Sequence, residues 1–233
     1  MGNTGIIGGF HRLSEWIMRF SVSNILWILC NLPIVLLIVV IKYGLQSTSL
    51  LHLIIPIGIL APFVFFPATT ALFASVRDWM IKDKDRPLVK QYLLYYRENY
   101  RNSVLVGLIL TVIWCVWLSN LLYYQTENTI LFFAFCVFGI LLYVVTINVF
   151  SIMSHFQLKL VRLLRMAFVT TIGKPLLTLM IFVINVLFIY GSLVAPLFVT
   201  LFFSISLLAF LSFSIFYKLY LRVISGELNG DVG

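Results

Sequence analysis

A chain of 233 residues that is 62% hydrophobic and 10% charged, with a mean hydropathy of +1.08, carries more apolar side chain than one water-soluble core of this size can enclose. It therefore reads as an integral, all-α membrane protein. The net charge of +8 is scattered over the segments between apolar runs, with no basic-aromatic patch on a soluble domain, which argues for anionic lipid headgroups and against nucleic acid.

The first element in chain order is GGFHRLSEWIMRF, where Phe10, Leu13, Trp16, Ile17 and Phe20 recur at steps of three and four while Arg12, Glu15 and Arg19 take the other side. Residues 1–23 are thus expected to form an interfacial segment. Six apolar runs follow, over 24–41, 50–76, 103–124, 130–154, 175–194 and 197–217, each near the roughly 20 residues that a helix needs to cross about 30 Å of hydrocarbon. The runs are continuously apolar and lack the alternation of a barrel strand, so six transmembrane helices are expected, with 218–233 as a short tail. The first run is read as a span and not a cleaved signal, because no basic residue lies in Met1 to Gly9 and no small-residue cleavage pattern follows.

Fifteen of the sixteen basic residues fall on alternate connections, Lys42 being the exception, and the positive-inside rule places those connections and both termini in the cytoplasm. Two inner connections are long enough to hold helices. One, beginning after Pro87, puts Leu88, Tyr92, Tyr95 and Asn99 on one face, Val89, Leu93, Tyr96 and Tyr100 on a neighbouring one, and Lys90, Arg97 and Arg101 on another; it is expected to lie at the headgroup layer or to dock a partner. The other carries Lys159, Arg162 and Arg165 on one stripe, amid apolar residues suited to lipid or to another subunit's groove.

Little in the chain points to chemistry. The middle of each run lacks Asp and Glu, and HExxH, Cys-x-x-C, P-loop and GxSxG patterns are missing. No catalytic residue, cofactor site or metal site is expected, and Cys30, Cys115 and Cys136 read as small buried hydrophobes. The polar groups at depth are amides and hydroxyls: Asn31, Asn148 and Asn185, with Thr69, Thr70, Thr111, Thr146 and Thr178. Such groups ordinarily tie helices together; a solute path would need the three asparagines to converge on one cavity. In the second run Pro56, Pro62 and Pro67 remove backbone donors, so that helix must be bent or broken; Thr69 and Thr70 are expected to satisfy freed carbonyls, Ala68, Ala71 and Ala74 to allow close approach, and Arg77 and Trp79 to anchor the exit at the inner interface.

Three stretches, NILWILCNLP at 24–33, FPATTALFASVRDWM at 66–80 and RPLVKQYLLYYRENYRNS at 86–103, resemble the YesL-like family of bacterial membrane proteins. Members often have a glycine shortly before the Pro-Ala-Thr element, where this chain has Phe63, Val64, Phe65 and Phe66. Similar proteins tend to be encoded beside carbohydrate ABC importers, so the resemblance implies a non-enzymatic accessory or regulatory subunit of such a permease in the bacterial cytoplasmic membrane. The residues expected to serve partner contact or packing are Asn24, Trp27, Asn31, Pro33, Pro67, Thr69, Ala71, Arg77, Trp79, Tyr92, Tyr96 and Arg97. A stand-alone facilitator for a small neutral solute is the alternative, and a structural homo-oligomer the third class.

Overall fold

The computed structural model describes residues 6–44, 51–81 and 87–230, and the regular structure among them is entirely helical. In lipid a helix is the form that satisfies every backbone donor within its own segment. The connection at 45–50, the charged turn at 82–86 and the extreme termini lie outside the described residues, as do the side chains of Lys42 and His52. Nine helices are formed by the described residues: α1 (Ile6–Cys30), α2 (Leu32–Gly44), α3 (Leu51–Leu60), α4 (Phe65–Ile81), α5 (Leu88–Glu127), α6 (Thr129–His155), α7 (Leu160–Gly173), α8 (Pro175–Val194) and α9 (Leu197–Gly230).

Four of them, α5, α6, α8 and α9, are long and apolar enough to cross a bilayer singly, and α1 with α2 qualifies as a pair bent by 64°. The bend falls at Asn31. Its carbonyl accepts from the N–H of both Ile34 and Val35, while Pro33, in the first turn of α2, has no donor to lose. The run expected as the second span is divided between α3 and α4, of 10 and 17 residues, neither of them long enough to cross a bilayer singly, with a turn at 61–64 that contains buried Pro62 between them. The break therefore comes before Pro67. That residue sits in the first turn of α4, where its missing donor costs little. Thr69 and Thr70 do not rescue the carbonyl at position 63 that Pro67 leaves free; they bond the carbonyls of Phe65 and Phe66, at 2.8 and 2.9 Å.

Two elements expected to be separate are continuous. The interfacial stretch runs into the first span as one helix, α1, on which Phe10, Leu13 and Ile17 are exposed whereas Arg19, assigned to the polar side, is buried beside Glu15 and Trp16. The tyrosine-rich connection and the third span form the 40-residue α5, about 60 Å long, so its first turns project beyond the hydrocarbon instead of lying flat on it.

The core is built around α4. Every residue from Phe66 to Val76 is buried, and α5, α6, α9 and α1 surround it. Ala68, Ala71 and Ala74 have essentially no exposed surface, as close helix approach in lipid requires. The close approach next to the Pro-Ala-Thr element is provided from across the interface. Gly107 of α5 lies so near that a Cβ there would meet Cγ of Phe66 and Cα of Pro62 at 2.9 Å. Further on, Asn128 alone links α5 to α6, capping α6 by accepting from the N–H of Ile130 and Leu131. The amphipathic α7 turns Leu163, Ala167 and Thr171 to its own bundle and leaves Arg162 and Arg165 exposed. A break at Ala195 and Pro196 separates α8 from α9.

Gly107→Val should lower the thermal midpoint of the detergent-solubilised protein by the equivalent of about 1–3 kcal/mol, because backbone must shift at Pro62. Gly173→Ala, whose Cβ meets nothing within 4 Å, should leave the midpoint unchanged in the same melting experiment.

Candidate functional site

Two polar features stand out against the apolar bundle. The first is at the end of α4, among the basic residues. Asp78 is only 3% exposed, and its carboxylate accepts from Gln91 Nε2 at 3.0 Å and from the Tyr95 hydroxyl. Arg77 donates to it through Nε at 2.9 Å and Nη2 at 2.6 Å, lies over the Tyr95 ring, and gives Nη1 to the carbonyl of Ser154. Ser154 belongs to the last turn of α6, where the helix dipole favours a cation. One carboxylate and one guanidinium thus clasp α4, α5 and α6 together. Beside this clasp Trp79 meets Trp16 and Phe20 edge-on, with ring centroids 6.5 and 5.8 Å apart, and Phe210 of α9 completes the aromatic group.

The second feature is a cavity of about 690 Å³ that is open on one side, where Val35 and Ile38 of its lining are exposed on α2. It is walled by Trp27, Asn31, Ile34, Phe65, Trp114 and Tyr143 among others, with Ile57, Gly58 and Ala61 from α3 and its following turn. Two indole–hydroxyl pairs cross its wall, Trp27 Nε1 to Thr69 Oγ1 at 3.1 Å and Trp114 Nε1 to Thr146 Oγ1 at 3.2 Å. Two buried oxygens in the lining, Asn31 Oδ1 and Thr111 Oγ1, have no hydrogen-bond partner. Among the described residues the lining holds no Lys, Arg, Asp or Glu.

The residues singled out from the sequence divide among these features and the core. Asn24 sits against α9: its Nδ2 donates to the Leu201 carbonyl at 2.6 Å and its Oδ1 accepts from the N–H of Ile205 and Ser206, both at 3.0 Å. An amide inserted there serves one turn of the helix ladder from outside. Trp27, Asn31 and Thr69 line the cavity, and Pro33 is exposed at the start of α2. Pro67, Ala71 and Tyr92 are buried in the chain's own core, where the Tyr92 hydroxyl donates to the Ala68 carbonyl at 2.9 Å. Arg77 belongs to the clasp and buried Trp79 to the aromatic group, so neither forms a simple interfacial exit. Tyr96 is half-buried against Tyr100, and Arg97 is exposed.

Sequence reasoning missed Asp78, Gln91 and Tyr95 as a unit. The available signal was the i, i+4 spacing of Gln91 and Tyr95, which puts two hydrogen-bonding groups on one helix face. Among the described residues no three His, Cys, Asp or Glu side chains gather as a metal would require, and the three cysteines are free thiols.

Fold and site together define a multi-pass, all-α membrane protein with a charged clasp at the end of α4 and an apolar cavity bordered by α2 and α3. A family model, "Protein of unknown function, DUF624", matches residues 20–121. Three proteins of Bacillus subtilis (strain 168), each described as uncharacterized, are similar to the chain. YteU is 27% identical over 96% of this chain and 90% of its own length; YesL is 26% identical over 75% and 72%; YesV is 27% identical over 50% and 58%. The resemblance to the YesL-like family is thereby shown. No solved structure matches the chain.

Asp78→Ala should strand Arg77 within the clasp and lower stability by about 3 kcal/mol, read as a fall in thermal midpoint in mild detergent. Gln91→Ala, which leaves the Arg77 pair in place, should cost about 1 kcal/mol in the same assay.

Proposed function

We infer that the chain is a non-enzymatic protein of a bacterial cytoplasmic membrane, an accessory subunit that binds a carbohydrate importer permease sideways in the bilayer. Its six crossings are α1 with α2, α3 with α4, α5, α6, α8 and α9, and both termini are cytoplasmic by the distribution of basic residues.

The observation that carries this reading is where the intramembrane amides are directed. Asn148 donates to Thr171 Oγ1 at 2.9 Å, joining α6 to α7, and Asn185 hydrogen-bonds Ser212 at 3.1 Å, joining α8 to α9. Asn31 alone of the three lines the cavity. A path for a sugar or polyol needs a continuous file of hydrogen-bonding groups; the Nδ2 groups of Asn148 and Asn185 are engaged in helix pairs instead, and Asn148 Oδ1, which has no partner, is not part of the cavity lining. Asp78, the buried carboxylate of α4, is likewise engaged by Arg77, Gln91 and Tyr95. This is the polar economy of a scaffold.

The partner's identity rests on the family resemblance, whose members accompany carbohydrate importers. The surface offered to it is the projecting part of α5, where Val89, Leu93 and Tyr100 are exposed beside Lys90, Arg97 and Arg101. Apolar side chains ringed by cations suit a protein contact at the headgroup level.

Tagged protein purified from its native host in mild detergent should bring down an importer permease in near-stoichiometric amount, identified by mass spectrometry. Leu93→Glu combined with Arg97→Glu should reduce that recovery about tenfold without changing the thermal midpoint, both residues being exposed. Recovery of the chain alone, or only as a homo-oligomer by native mass measurement, would overturn the permease assignment.

A further inference from the structure

The charges of the clasp neutralise one another, but those of α7 do not. Arg162, Arg165, Val169 and Ile172 follow at steps of three and four and form one stripe, on the face opposite Leu163, Ala167 and Thr171. All four are exposed, and so is Phe168 beside them. Among the described residues neither guanidinium has an ion-pair or hydrogen-bond partner. The surrounding sequence offers none: Asn128 to Gly226 contains no Asp or Glu, and Lys159 and Lys174 flank the helix. The stripe therefore calls for an anion at its start and an apolar surface at its end.

The buried face sets this order against the membrane. Thr171 receives the amide of Asn148, which stands seven residues, about 10 Å of helix, before the end of α6 at His155. Because α7 begins at Leu160, shortly past that end, the chain turns back along α6 and the last turns of α7 lie deeper than the first. Arg162 and Arg165 thus stand at the level where α6 gives way to a basic connection, and Val169 and Ile172 stand toward the hydrocarbon.

We propose that this stripe is a binding site for an anionic phospholipid, its headgroup phosphate held by Arg162 and Arg165 and the upper part of an acyl chain laid along Val169 and Ile172. Each part follows from the placement. The ligand is anionic because two guanidiniums without a counter-charge face the headgroup layer, and the planar guanidinium fork matches phosphate oxygens. It is a lipid and not a soluble acidic protein because the apolar half of the stripe lies on the hydrocarbon side of the arginines. Binding also has a structural consequence. The opposite face of α7 takes the Asn148 amide on Thr171 Oγ1 and gives the Thr171 carbonyl to the Thr178 hydroxyl of α8 at 2.6 Å, so a lipid that holds α7 in place holds α6 and α8 together through it.

The test uses the full chain in nonionic micelles, titrated with phosphatidylglycerol or with phosphatidylcholine bearing the same acyl chains, and reads bound lipid by native mass measurement. At low salt the anionic lipid should bind with an apparent Kd about thirtyfold below that of the zwitterionic one, the value of two basic side chains at a membrane surface. Arg162→Gln combined with Arg165→Gln should bring the two lipids close to parity, whereas Lys90→Gln combined with Arg101→Gln, an equal loss of exposed charge on α5, should leave the preference in place. Glycerol phosphate, which carries the anion without a chain, should not displace the lipid. Equal binding of both lipids by the unaltered protein would overturn the proposal. So would a preference that the two double variants lower alike, which marks a diffuse effect of net charge, or displacement by glycerol phosphate, which marks a site for the free anion.

Discussion

Lipid supplies no hydrophobic drive between helices, so a helix at the centre of a membrane bundle must be held by contact distance and by hydrogen bonds. That constraint governs α4. Its alanines at 68, 71 and 74 let neighbours approach, Gly107 of α5 removes the one Cβ that would hold the turn at 61–64 away, and the Tyr92 hydroxyl reaches the Ala68 carbonyl across the gap so created. At the far end of the same helix the approach brings Asp78 within reach of Gln91 and Tyr95, and Arg77 within reach of the end of α6. The clasp is thus a consequence of the packing as well as a support for it. Without the small residues, the carboxylate would have no partners on α5.

The cavity has the opposite origin. Two apolar runs that could have crossed as straight rods are interrupted, one at Asn31 and one at 61–64, and residues flanking both interruptions line the same space. Each interruption is set by local chemistry: Pro33 follows the first by two residues and Pro62 lies within the second. Asn31 stands at the first interruption, so the residue that marks the bend also belongs to the lining of the cavity.

Much of this was legible from residue type. The membrane class, the helical character of each run, the break in the second apolar run, the small-residue face of α4 and the division between the last two spans all rest on composition, proline position and helical spacing. What escaped was whatever depends on which face meets which neighbour. Arg19 reads as a surface charge and Asp78 draws no notice, because charged residues in a 10% charged chain are expected at water, yet both are buried, Arg19 beside Glu15 one turn away and Asp78 against Gln91 and Tyr95 of α5. Tyr92 and Tyr95 read as headgroup anchors because tyrosine favours that layer; here the face they share is the one turned to α4. Asn24 could be recognised as part of a motif, but its seat against Leu201, Ile205 and Ser206 joins residues more than 170 positions apart, and no local pattern encodes that.

The two polar features therefore belong to mechanically different parts of one molecule. The clasp lies where burial is densest, among α4, the start of α5 and the end of α6, and every group in it is engaged by another helix or by its neighbour in the chain. The cavity borders α2 and α3, where Leu36, Val39, Val40, Ile55 and Ile59 are exposed and where contacts run chiefly between these two helices and onto α5. Local stability follows the density of buried contact, so the wall formed by α2 and α3 is the part that opens at least cost. A frame fixed at its charged end and a wall held lightly at its apolar side thus share one bundle, and local opening is expected at the second before the first.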